Sequence, residues 1–456
     1  MVRFLAAARR VLIAVPIALL VSMLSSGGAG AVEVQRVVSK GGIEAWFVHD
    51  TSVPLISMEY LFRGGAALDP KGKAGLANLT ASLLDEGAGD LDSQAFQQQL
   101  QNLSIQLNFD VDYDSFGGSL KTLNRNRAEA VHLLRLALLQ PRFDAADVER
   151  MTGEVVAGIK QRASRPGYLA QRVWQQVIYP NHPYGRPITG SEATLKKIQR
   201  SDLKDFVKAN FAKDRLLIGV SGDITAADLG KLLDDVFGGL PDTAATHTIP
   251  PADPAALGYT FVLNRQVPQS VAIFGLPGLK RNDPDFYAAF MMNHILGGGT
   301  FNSWLYEEVR EKRGLAYSIY SYLEPRKESP FWMGSVATAN AGMAKSVDLI
   351  RAQVRKMRDQ GVTDKELEDA KLFINGSFPL RFTSTDRIAS ILVQLQFDKL
   401  GIDYLERRPS LINAVTKEDI ARVVKRFLDP SKLTFAVVGQ PEGLKGTGKT
   451  PQLESW

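Results

Sequence analysis

Residues 201–223 read SDLKDFVKANFAKDRLLIGVSGD, and residues 418–440 read EDIARVVKRFLDPSKLTFAVVGQ. Six residues recur between them at a constant offset of 217: Asp202, Val207, Lys208, Leu216, Val220 and Gly222 return as Asp419, Val424, Lys425, Leu433, Val437 and Gly439. In the first copy Ser201 is a capping residue ahead of apolar positions at helical spacing, and residues 215–221 are a short apolar run closed by Gly222 and Asp223. Both stretches therefore predict a helix feeding a strand. Upstream, Phe47, Val48, Val53, Pro54 and Gly64 return as Phe261, Val262, Val267, Pro268 and Gly278, at an offset of 214. Two constant offsets differing by three residues describe a duplicated unit of about two hundred residues with small insertions.

The segment 238–257, with Pro241, Pro250, Pro251 and Pro254, falls between the copies and reads as a linker. It separates an N-terminal domain, 32–237, from a C-terminal domain, 258–440. Residues 441–456, rich in Gly and Lys, read as a flexible tail. Within the first copy, residues 106–116 alternate Leu107, Phe109, Val111 and Tyr113 with polar neighbours, the pattern of a strand with one wet face. Residues 126–139 carry an apolar face at helical spacing that would cover the other side of such a sheet. The expected fold class is α+β: two homologous domains, each a mostly antiparallel sheet layered with helices.

Composition narrows the chemistry. The 456 residues are 45% hydrophobic and 23% charged, which is globular and not disordered. The absence of cysteine excludes thiol nucleophiles, disulfides and thiolate zinc sites. Five histidines stand at 49, 132, 182, 247 and 294, the closest two 47 positions apart, so no local two-histidine metal motif exists. At the start of the chain, Arg3, Arg9 and Arg10 precede an apolar run, 11–24, and a small-residue end at Ala29, Gly30 and Ala31. This order predicts a secretory signal peptide, 1–31; the run is short for a membrane anchor. Removing three arginines from 54 basic residues leaves 51 against 49 acidic, a formal charge of +2 in place of +5. Neither nucleic acid nor, after cleavage, a membrane is expected as a partner. The expected location is the periplasm.

Several stretches together resemble the insulinase and pitrilysin family of zinc metallopeptidases, whose motif is the inverted His-x-x-Glu-His. In the first half these are residues 62–66 (FRGGA), 75–77 (GLA), 182–185 (HPYG) and 220–223 (VSGD); in the second, 296–299 (LGGG) and 308–317 (EVREKRGLAY). The resemblance spans nearly the whole mature chain, from about Val34 to Gln440, and none of the stretches suffices alone. It breaks at the motif itself. Where the family places His, two spacers, Glu and His, this chain has Asn78, Leu79, Thr80, Ala81 and Ser82. The family's third ligand, a glutamate about 75 residues on, aligns with Gly158, while Glu154 remains nearby. Zinc needs imidazoles one turn apart and a carboxylate to take a proton from bound water. Asn78, Ala81, Ser82 and Gly158 supply none of these, so no metal is expected in this chain and no peptide hydrolysis by the chain alone.

The second half keeps another family feature. In relatives, an Arg and a Tyr seven residues apart reach from the other half of the enzyme into the zinc site and bind the substrate backbone and the developing oxyanion; Arg310 and Tyr317 have that spacing. From the residues themselves, 303–312 reads as a helix capped by Ser303, with Leu305 and Val309 buried, ending at Gly314. Leu315, Tyr317 and Ile319 then fall on one face of a strand. Spacing alone favours Arg310 pairing with Glu307 and Tyr317 as an ordinary core aromatic; the resemblance reverses that preference. Gly297, Gly298 and Gly299 do not fit a phosphate loop; the resemblance makes them a flexible turn beside the substrate cleft. His182 reads as a loop residue and His294 as a core histidine, and Asp110, Asp112 and Asp114 lack the rest of a calcium loop.

The resemblance implies a non-catalytic, substrate-binding subunit of a heterodimeric zinc peptidase. Its partner would be a homologous chain with an intact zinc motif, acting on a peptide substrate that Arg310 and Tyr317 help to bind. The alternative is a proteolytically inactive scaffold that keeps the fold for assembly.

Overall fold

The computed structural model describes residues 33–245 and 248–453, so the expected signal peptide and His247 lie outside the described residues. Eleven strands form two sheets among the described residues. The first contains β1 (Gln35–Val38), β2 (Glu44–His49), β3 (Leu55–Arg63), β4 (Gln106–Val111), β5 (Ser115–Leu123) and β6 (Leu216–Gly222), in the order β1-β2-β6-β3-β5-β4. The second contains β7 (Thr260–Asn264), β8 (Gln269–Pro277), β9 (Ala316–Glu324), β10 (Phe331–Ala339) and β11 (Thr434–Gly439), in the order β7-β11-β8-β10-β9. Every pairing is antiparallel except β2 with β6 and β11 with β7. The α+β fold of two mostly antiparallel sheets layered with helices is the fold found.

The repeated residues now have physical reasons. Helices Arg200–Asn210 and Lys417–Phe427 precede β6 and β11, and the recurring Asp202 and Asp419 turn back to accept the Gln199 and Thr416 N–H groups at 2.8 and 3.0 Å. This is a capping box, and in the first copy it moves the cap from the expected Ser201 to Gln199. Gly222 and Gly439 end their strands at φ +140° and +146°, where a Cβ would come within 2.3 Å of the Leu55 carbonyl oxygen and 2.2 Å of Ser270 Oγ.

Residues 106–116 do not form one strand. The Asp112 N–H donates to the Ser115 carbonyl at 2.9 Å and closes a turn between β4 and β5, with the Asp112 carboxylate accepting the Tyr113 N–H at 2.7 Å and Asp114 tied to the Tyr184 hydroxyl at 2.7 Å. The tail is also more tied down than its composition implied: Thr450 Oγ1 bonds both the N–H and the carbonyl of Val262, and Leu453 packs on the core.

The two halves exchange helices. Pro166–Ile178 of the first half lies on β8 and β11 of the second sheet, and Thr385–Phe397 of the second half lies on β3 and β6 of the first; both are 13 residues long. Trp174 is buried with Phe331, Met333 and Ala436, and Gly275 leaves room for its ring, since a Cβ there would stand 3.0 Å from Trp174 Cη2. On the other side, Gly219 faces the backbone of Ala389, Ser57 and Thr385 share a 2.8 Å hydrogen bond, and Arg63 donates to the carbonyls of Gln396 and Phe397 at 3.0 and 3.1 Å. Each half therefore completes the other's core.

Candidate functional site

Asn78 and Ala81 lie on helix Leu76–Ala81, with Ser82 as its C-cap, and Gly158 lies on helix Ala145–Arg162. Asp69 fixes the start of the first helix by accepting the N–H groups of Gly75 and Ala77 at 2.8 and 2.9 Å. The Ser82 hydroxyl donates to the Asn78 carbonyl at 3.0 Å and Ala81 is buried. At Gly158 the nearest atom to a Cβ would be Arg162 Nη1 at 3.7 Å. Glu154 is held by Arg150 at 3.0 Å, and the same guanidinium takes Glu86 and Asp147 at 2.5 and 3.2 Å. An amide, a methyl, a hydroxyl and a bare Cα do not fit zinc. Among the described residues no three His, Asp or Glu side chains form a group that could hold a metal ion.

Arg310 and Tyr317 are brought together. Helix Trp304–Tyr306 continues into a π-helical turn, Glu307–Glu311, with Leu305 and Val309 buried and Gly314 at φ +60°. The Arg310 guanidinium carbon lies 4.7 Å from the centre of the Tyr306 ring and 5.0 Å from that of Tyr317, and Arg310 Nη1 donates to the Tyr306 hydroxyl. Glu307 instead pairs with Lys312 at 3.0 Å, and Arg310's ion-pair contact is Glu311 at 3.8 Å.

The strand reading of Tyr317 needs correction. The register of β9 on β10 runs Ala337 to Ser318 and then Thr338 to Ala316, which leaves Tyr317 as an extra residue in a bulge. A bulge resets the alternation of sides. Ile319 is buried as expected, whereas Tyr317 is 83% exposed and turned to solvent. Tyr306, the ring on the other side of Arg310, was overlooked in the sequence; its i, i+4 spacing on one helix face was the available signal.

Gly297 and Gly298 belong to a second π-helical turn, His294–Gly298, and Gly299 caps it. Two of them have close neighbours: a Cβ at Gly297 would meet Ser321 Oγ at 2.4 Å, and one at Gly299 the His294 carbonyl oxygen at 2.7 Å. Their small size lets this turn approach β9. His294 is half-buried against Phe373, ring centres 5.2 Å apart, and burial pulls its pKa down. His182 caps the turn Pro183–Gly185, accepting the Tyr184 N–H at 3.1 Å.

Residues 197–372 match the family description "Peptidase M16 inactive domain". Over 391 residues the chain is 30% identical to the non-peptidase homolog YmxG of Helicobacter pylori, spanning 85% of this chain and 89% of that protein. The chain belongs to the peptidase M16 family. It is an inactive, insulinase-like member, in keeping with Asn78, Ala81 and Ser82 in place of the M16 zinc motif. The uncharacterized zinc protease YmxG of Bacillus subtilis is 22% identical over 353 residues, 77% of this chain and 85% of that one. Among solved structures, the M16 inactive domain from Pseudomonas fluorescens superposes with a TM-score of 0.83 at 27% identity, covering 89% of this chain and 98% of that one. A protease from Helicobacter pylori shares the M16 fold at a TM-score of 0.80 and 17% identity, covering 90% and 100%.

Proposed function

We propose that this inactive M16 chain is the substrate-binding, non-catalytic subunit of a two-subunit zinc peptidase in the periplasm. Its partner is a homologous chain with an intact His-x-x-Glu-His motif, which holds the zinc and the general base. Arg310 and Tyr317 complete the partner's site. The observation that carries this reading is the bulge at Tyr317, which spends a strand residue on aiming a phenol into solvent beside a stacked guanidinium. A guanidinium offers rigid donors to a peptide carbonyl, and a phenol donates to an oxyanion. Stacking between Tyr306 and Tyr317 keeps Arg310 in place at little entropic cost on binding.

The test is to mix the purified mature chain with that partner and follow cleavage of a peptide. Hydrolysis well above that of the partner alone is expected. Equal hydrolysis would leave the inactive scaffold as the better reading.

A further inference from the structure

The second half carries a half-open pocket of about 490 Å³ that neither Arg310 nor Tyr317 lines, although Gly298 and residues Ser321, Tyr322 and Leu323 of β9 form part of its wall. It lies between helices Phe286–Asn293, Asp364–Ser377 and Tyr404–Asn413, the C-terminal end of Thr385–Phe397 and the turn Phe378–Arg381. Its walls are largely aromatic, with Phe286, Tyr287, Phe290, Phe373, Phe378 and Tyr404 contributing rings. Three arginines, Arg281, Arg381 and Arg408, face a single carboxylate, Asp398, among the described residues that line it.

The arginines are not equivalent. Arg281 is engaged: its guanidinium lies 4.1 Å from the Phe286 ring centre, donates to the Tyr404 hydroxyl at 3.0 Å and stands 3.9 Å from Asp398. Arg408 is only 6% exposed and stacks on Phe378 at 3.8 Å, yet its Nη1 is buried without a hydrogen-bond acceptor. A buried cationic donor without an acceptor is strongly unfavourable, and an anion in the cavity would satisfy it. Burial pulls the Arg408 pKa below its usual range; the Tyr404 hydroxyl, which the guanidinium hydrogen-bonds, opposes this, and the neighbouring positive charge of Arg381 adds to it, so Tyr404 engages part of the guanidinium and leaves Nη1 unsatisfied. The walls ask for an apolar body and the single orphan donor for a compact monoanionic head, which fits a carboxylate better than a dianionic phosphate.

We propose that this cavity binds a small amphipathic carboxylate, its head on Arg408 within the field of Arg381 and its apolar body against the aromatic walls. Two sources share that chemistry, a medium-chain fatty acid and the C-terminal residue of a short hydrophobic peptide. The site is independent of any partner subunit.

Isothermal titration of the mature chain with octanoate and with N-acetyl-Leu-Phe tests both sources, with 1-octanol and N-acetyl-Leu-Phe-amide as uncharged counterparts. At least one acid should bind saturably and at least tenfold more tightly than its counterpart; the preferred acid identifies the source, and either preference upholds the proposal. Arg408→Met, with its fold checked by its melting curve, should weaken the preferred acid at least tenfold. Arg381→Glu changes an exposed residue outside the core and should weaken it at least threefold, more so at low salt. Absence of saturable binding by both acids overturns the proposal, as does equal binding of the uncharged counterparts or indifference to Arg381→Glu.

Discussion

Tyr317 owes its exposure to one extra residue in β9, and its neighbour Arg310 owes its position to a ring on either side. The family resemblance, and not spacing by itself, paired the two. Spacing could not place Tyr317 outward, because strict alternation put it with Leu315 and Ile319, and a bulge has no signature in apolar periodicity. The geometry makes a defined prediction for the proposed two-subunit enzyme. Tyr317→Phe, which removes one hydroxyl from an 83% exposed side chain, should lower turnover of the mixture by about 100- to 1000-fold, the scale of a lost oxyanion donor. Arg310→Ala should do the same or more, while gel filtration shows the complex still assembled. Unchanged turnover in both variants would reduce the pair to a packing motif.

At the scale of elements, the exchanged helices hold the halves together, and Gly219 is where one comes closest. A Cβ at Gly219 would stand 2.3 Å from the Ala389 carbonyl oxygen, a backbone atom that moves only if the helix lifts off the sheet. Gly219→Ala should therefore cost about 1–3 kcal/mol in urea unfolding, the range of an overpacked core. Gly153 is the contrast: it lies within helix Ala145–Arg162 with nothing within 4 Å of a Cβ, and Gly153→Ala should stabilise by about 0.5–1 kcal/mol. A Gly219→Ala protein as stable as the wild type would mean the helix is not closely seated. Much of this level was legible in the sequence: the duplication, the helix feeding β6 and β11, and the helix now seen at Arg127–Leu139. The exchange was not. An apolar helix face announces that it will be buried, but not against which sheet, and Thr385–Phe397 carries the same kind of face whichever sheet receives it. The break in residues 106–116 was hidden for a related reason, because Tyr113 keeps the alternation while the Asp112 N–H closes a turn on the Ser115 carbonyl.

Across the whole molecule, the seam between the halves gathers carboxylates in places that disfavour their charge. Glu59 on β3 is the strongest case: burial pushes its pKa up to about 8, with the negative charges of Asp110 on β4 and Asp386 on the exchanged helix acting the same way. Lys121 does not offset this directly, since it is paired with Asp386 at 2.8 Å. Burial also raises Asp110, and raises Asp398 near the end of the same helix. A carboxylate whose folded pKa lies above its unfolded value keeps its proton in the native state after the unfolded chain has released it. Its contribution to stability is fully present below the unfolded value of about 4.5 and is lost as pH rises through 8. The wild type should therefore lose stability between pH 5 and pH 8.5. Glu59→Gln, which cannot ionise, should lose less over that interval, by about 1 kcal/mol or more after discounting for solvent screening. Melting curves of both proteins at the two pH values measure the difference directly, and parallel losses would place the pH sensitivity of the seam on groups other than Glu59.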